Sequence, residues 1–92
     1  MATILIPTPL RRFTGNSPKV NIAGNLLSEI IDNLVNEYPE VQRHLLDTSG
    51  AVRPFLNIFV DQDDIRDLNH QHTPINSSSV ISIVPAIAGG KI

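Results

Sequence analysis

His70 and His72, the aspartates between positions 61 and 67, and the pair Gly89-Gly90 are the residues of this chain whose types and spacing could do chemistry. Two positions apart, the histidines would point to one side of an extended segment and so could offer two metal ligands. Spacing fixes no third ligand beside them, His44 being remote, and a polar loop explains them equally well. No bound metal is expected. Asp61, Asp63, Asp64 and Asp67 make a poor calcium loop: position 66 is Arg where the turn needs Gly, and the twelfth position is His72 where a bidentate Glu belongs. They read as a solvated turn. Gly90-Lys91 is no phosphate-binding loop, because Pro85 stands where the first glycine should be and Ile92 where Ser or Thr should follow the lysine. Ser77-Ser78-Ser79 belongs to no recognisable Ser, His and carboxylate set and reads as a turn. With no cysteine in the sequence there is no thiol nucleophile, thiolate metal site or disulfide. No residue is a candidate for catalysis, and an enzyme is not expected.

That leaves Gly89-Gly90. No secondary structure is expected beyond it, so the pair serves no turn. Two residues without Cβ can enter a narrow channel in another protein and present a carboxylate there, since no side chain obstructs the approach. A frayed terminus is the plainer reading of the same residues, and physics alone leaves both open.

Behind this tail the chain must build something to be recognised. Residues 3–6, TILI, are apolar or β-branched up to Pro7, and residues 19–23, KVNIA, alternate polar and apolar. Both read as strands of an antiparallel hairpin with a long loop, in which Gly15-Asn16 can supply positive φ. In residues 24–39 the rows Leu26, Ile30, Leu34, Tyr38 and Leu27, Ile31, Val35 predict an amphipathic helix, with Asn25 as N-cap, Glu29 near the positive end of the dipole, and Pro39 as stop. Its Asn and Asp content gives poor intrinsic helix propensity, so burial across a sheet must hold it. A second short helical turn over 39–46 shares Val41 and Leu45, and Gly50 and Pro54 end it. FLNIFV, 55–60, reads as a central strand. A brief extended piece follows at Ile65 and Leu68, a polar stretch runs through Ser79, and VISIV, 80–84, is the last strand, ended by Pro85. This order, β-β-α-β-short β-β, is that of the β-grasp fold: an α+β domain whose mixed sheet carries one main helix packed across one face. Residues 1–85 form the domain and 86–92 a flexible C-terminal tail.

Alternation within the last strand predicts what that domain shows its partners. If Ile81 and Ile83 face the helix, Val80, Ser82 and Val84 face outward, and Phe55, Asn57 and Phe59 share one face of the neighbouring strand. Phe59 and Val84 would then form an exposed apolar docking patch; periodicity alone allows both to be ordinary core as well.

Composition closes off other classes. The 92 residues suit one core, and 4% aromatic residues with no Trp mean that Ile, Leu and Val must build it. A formal net charge of -2 with scattered basic residues speaks against nucleic acid. No apolar run approaches the length of a membrane span or a signal-peptide core, so a cytoplasmic location without a membrane partner is expected.

Taken together, the strand order, the single long helix and the ending ISIVPAIAGG resemble the ubiquitin-like sulfur carriers of the MoaD and ThiS family, over essentially the whole chain. The CysO-type carriers of cysteine biosynthesis are the best match within it, through Ile6-Pro7-Thr8, the segment Arg53-Pro54-Phe55-Leu56-Asn57-Ile58-Phe59-Val60, and Ile83-Val84-Pro85-Ala86-Ile87-Ala88-Gly89-Gly90. Where the family usually has an Asp-Gly-Asp-like turn before the last strand, this chain has Asn76-Ser77-Ser78-Ser79. The resemblance implies that Ala88, Gly89 and Gly90 enter a partner's channel. An E1-like adenylating and sulfurtransferase enzyme would use ATP to activate the Gly90 carboxylate. A sulfur donor would then convert it to a thiocarboxylate, to be delivered to a sulfur-accepting synthase for cysteine or methionine. Lys91-Ile92 resembles the short extension that some relatives carry and lose to a JAMM-type metalloprotease. The chain itself would bind no cofactor. Carriers for molybdopterin or thiamine synthesis, and a ubiquitin-like protein modifier conjugated through Gly90, remain as alternatives.

Overall fold

The computed structural model describes residues 1–85. Its seven regular elements are β1 (Ala2–Leu5), β2 (Lys19–Ile22), α1 (Leu27–Glu37), α2 (Gln42–Leu45), β3 (Leu56–Val60), β4 (Asp63–Asp64) and β5 (Val80–Pro85), with short 3-10 turns between them. The strands form one mixed sheet in the order β2-β1-β5-β3-β4. β1 pairs antiparallel with β2 and parallel with β5, and β3 runs antiparallel to β5. The expected β-grasp architecture is what is observed.

Strand alternation decides what each face does. Ile4, Val20, Ile22, Leu56, Ile58, Val60, Ile81 and Ile83 are buried on the inner face. Over them lies α1, whose Leu27, Ile30, Ile31 and Leu34 are buried while Asp32, Asn33, Asn36 and Glu37 face water. Val41, Leu45 and Leu46, from the 3-10 turn Pro39–Val41 and from α2, complete the core. Burial of each such side chain contributes about 1.5–3 kcal/mol, enough to hold a helix rich in Asn and Asp.

Several expectations shift. The N-cap position of α1 is Leu26, with φ −127° and ψ 153°, and not Asn25. The Leu27 N–H donates to the Thr73 carbonyl at 3.0 Å, and the Asn25 carbonyl accepts from the Ile75 N–H at 2.8 Å. A chain segment therefore satisfies the helix terminus in place of a capping side chain. Glu29 does act at this end: its Oε1 accepts from the Asn25 N–H at 2.8 Å. The loop between β1 and β2 winds into a 3-10 turn, Thr8–Phe13, pinned by buried Leu10 and Thr14. Beyond it Gly15 and Asn16 take positive φ, as expected. β5, and not β3, is the centre of the sheet, and β3 has only the two-residue β4 outside it. Ile65–Asp67 and His70–His72 are 3-10 turns, not extended segments, so the two histidines do not share the side of a strand.

Candidate functional site

Because β5 is the middle strand, Pro85, its last residue, lies at the centre of one end of the sheet. Pro85 pairs with Leu56, and next to it Val84 pairs with Asn57. The tail residues Ala88, Gly89, Gly90, Lys91 and Ile92 lie outside the described residues. What the fold defines is the surface around the point from which they start.

On the sheet face away from α1, strand register aligns side chains in a row. Leu5 is opposite Lys19 on one side and Ser82 on the other, Ser82 is opposite Phe59, and Phe59 is opposite Asp64. Val84 lies on this same face, 44% exposed, diagonal to half-buried Phe59. The two residues singled out from alternation are thus brought to one outward face, while Ile81 and Ile83 are buried as expected. Phe55 precedes β3 and is exposed. Leu5, 39% exposed in the same row, was missed, although the strict alternation of buried Ala2 and Ile4 marks it as outward. A shallow cleft on this face runs between Leu5, Pro7, Arg11, Lys19, Ser82 and Val84.

Arg66 was also missed. Its guanidinium donates to Asp64 Oδ2 at 2.7 Å and to Asn57 Oδ1, tying the β4 edge to β3. Asp64 Oδ1 also accepts from the Arg66 backbone N–H at 2.8 Å, and these bonds hold its pKa down to about 2. No signal in sequence separates this Asp-x-Arg clasp from the other charges of the segment. Asp61, with φ 58°, closes the β3–β4 turn: its N–H donates to the Val80 carbonyl at 2.7 Å, and its Oδ1 accepts from the Val80 N–H at 3.1 Å. The aspartate cluster is therefore turn chemistry. Asn76 does the same work before β5, its Oδ1 accepting from the Ser78 N–H at 2.9 Å and from the Ser78 Oγ at 2.7 Å, so this sequence builds its own Asx turn.

On the helix side of the tail root a second cleft, of about 340 Å³, lies between Pro9–Leu10, Arg43–His44 and Phe55–Leu56, with Arg53 and Pro85 in its wall. His44 stacks on Phe13 with ring centroids 4.2 Å apart, and its Nε2 is buried with no hydrogen-bond partner among the described residues. Burial first, then the nearby Arg43, Arg12 and Arg53, push the imidazole below its ordinary pKa. Among the described residues no three His, Asp or Glu side chains converge on a possible metal position. No described helix is long and apolar enough to cross a membrane.

Comparison with known proteins agrees with this geometry. A family model described as the ThiS family matches residues 4–90 and so stops at Gly90. The chain is 36% identical over 90 residues to the sulfur carrier protein CysO of Mycobacterium tuberculosis, covering 96% of this chain and 97% of that protein. Among solved structures, a chain of the Amycolatopsis orientalis BexX/CysO complex superposes with a TM-score of 0.90 at 29% identity, over 98% of this chain and 100% of that one. Mycobacterium tuberculosis CysO gives a TM-score of 0.88 at 32% identity, over 95% and 100%. The small archaeal modifier protein 1 of Methanosarcina acetivorans, at 21% identity and a TM-score of 0.85 over 97% and 95%, shares the fold.

Proposed function

This chain belongs to the ThiS family, and from that premise we propose that it is a CysO-type sulfur carrier whose working terminus is Gly90. The observation that carries the reading is that the family match ends on the diglycine, with Lys91-Ile92 left outside it. While Lys91 is attached, the Gly90 carbonyl belongs to a resonance-stabilised amide and has no carboxylate oxygen to offer. Hydrolysis of that bond, by a metalloprotease of the JAMM type, removes the residues from Lys91 onward and frees the carboxylate.

The chain is a carrier and not an enzyme; chemistry is done to it. In an E1-like activating enzyme, a Gly90 carboxylate oxygen attacks the α-phosphorus of ATP and pyrophosphate leaves. The acyl adenylate then has AMP as a leaving group, and a sulfur donor at the oxidation level of sulfide displaces it, leaving a thiocarboxylate. Ala88, Gly89 and Gly90 present little or no side chain, so the reactive carbonyl can be brought against nucleotide and donor in a narrow channel. Sulfur held in this way is nucleophilic yet kept off free solution until a synthase takes it. Cysteine or methionine synthesis is the destination that the CysO likeness supports.

The outward face bearing Leu5, half-buried Phe59 and Val84 serves as a docking surface, since Leu5 and Val84 are exposed apolar side chains on it and Val84 lies on β5, the strand that ends at Pro85. The test is the intact mass of the protein isolated from its native cells. A chain ending at Gly90 and carrying sulfur in place of one oxygen is expected. Recovery of Gly90 in isopeptide linkage to lysines of other proteins, with no sulfur-bearing form, would make the chain a modifier instead.

A further inference from the structure

The helix-side cleft at the tail root has a charge pattern that the carrier chemistry does not use. Arg43 and Arg53 stand at its rim, and Arg12 lies over the Phe13 ring, 4.9 Å from its centroid. Arg53 Nε donates to the Arg43 carbonyl at 2.7 Å. None of the three forms an ion pair among the described residues, where Arg66–Asp64 is the salt bridge present. Two acids lie nearby. Glu40 acts on His44 against the arginines, and Asp47 feels Arg53, but Asp47 Oδ1 is taken by the Ser49 and Ala51 N–H groups and the Ser49 hydroxyl. His44 lines the cleft with its Nε2 buried and unpartnered among the described residues, and the positive charge beside it sits on the arginines. A chain of net charge -2 thus concentrates positive charge beside the strand that leads into its tail.

Distance says what meets this cleft. The five residues 86–90 span at most about 18 Å when fully extended. Any enzyme that holds Gly90 in a buried channel must therefore bring its own surface close to Pro85, which is a wall of the cleft. We infer that the cleft docks an acidic segment at the channel mouth of the enzyme that receives the tail, with an apolar side chain of that segment against Leu10, Leu56 and Pro85 and its carboxylates facing Arg43 and Arg53. The inference rests on the carrier reading for its partner. Complementary rim charges of this kind speed encounter and fix orientation, and their effect is screened by salt.

The experiment is calorimetric binding of the Gly90-terminated protein to the E1-like activating enzyme of the same organism, at low and high salt, with sulfur loading followed separately by intact mass. Arg53→Glu removes the bond to the Arg43 carbonyl and can loosen the fold. The informative variant is therefore Arg12→Glu with Arg43→Glu, which leaves that bond in place; its thermal unfolding should match wild type. The expected result is binding weakened by about tenfold or more, with most of the salt dependence gone and turnover at saturating carrier retained. Equal affinity and equal salt dependence in variant and wild type would overturn the cleft as a docking site while leaving a loaded carrier intact. Absence of wild-type binding would overturn it too, as would self-association that the variant abolishes. Charge-dependent binding without sulfur loading would instead sink the carrier reading and leave the cleft standing.

Discussion

Gly24 is the residue at which backbone freedom matters most. Its φ of +155° is one that side-chain-bearing residues rarely adopt, and a Cβ there would lie 3.0 Å from both the backbone N and the Cδ1 of Ile30. Gly24→Ala should therefore cost about 1–3 kcal/mol in chemical denaturation, with the folded spectrum unchanged. Nothing in the sequence distinguished this glycine from one in an ordinary loop, because the close approach comes from the helix that follows. Two titrating groups give a second test. Asp64 falls from its ordinary 3.8 to about 2 through its bonds to Arg66, and His44 falls below its ordinary 6.5 through burial and the three arginines. In both cases the unfolded chain binds protons at a higher pH than the folded one, so stability rises with pH through each window. Denaturation midpoints should decline as pH drops below 6.5, and decline again from 3.8 toward 2. In Arg66→Ala the lower step should shrink; an unchanged profile would mean that the clasp does not hold Asp64.

At the scale of elements, α1 was legible because seven apolar side chains recur on one stripe, and the buried set Leu27, Ile30, Ile31 and Leu34 is drawn from it. Ile31→Ala should cost about 2–5 kcal/mol, whereas Asn36→Ala on the exposed face should cost little. A midpoint unmoved by Ile31→Ala would show that the stripe is not packed on the sheet. The alternation of β5 was equally readable. Its place in the sheet was not, since periodicity says which face a side chain takes and nothing of which strand is the neighbour. Thus FLNIFV looked central, yet it has only Asp63–Asp64 outside it. Asn25 failed as a cap for a similar reason: Thr73 and Ile75, far away in sequence, supply the backbone bonds at that terminus. The segment after Pro7 read only as a long loop, because the 3-10 turn over Thr8–Phe13 is pinned by burial of Leu10, a tertiary fact.

For the whole molecule, the central strand of the sheet ends at Pro85, and the proposed function puts the chemistry on the residues that follow it. The fold was legible in the sequence; the charged cleft beside Pro85 was not, because it brings Arg43 and Arg53 together from separate segments, with Arg12 close enough to act on His44. The central claim is that Gly90, once free, is the atom-bearing end of a sulfur carrier. It is tested most directly by presenting the 92-residue protein and the form ending at Gly90 to the E1-like enzyme with ATP and a sulfur donor, and following intact mass. Conversion to the thiocarboxylate is expected for the Gly90-terminated form alone. In the 92-residue form Gly90 is followed by Lys91 and by Ile92, whose β-branched side chain is bulkier and stiffer than glycine in a channel shaped for bare backbone, so that form should stay unchanged. Equal conversion of both forms, with Lys91 and Ile92 still attached, would contradict the account.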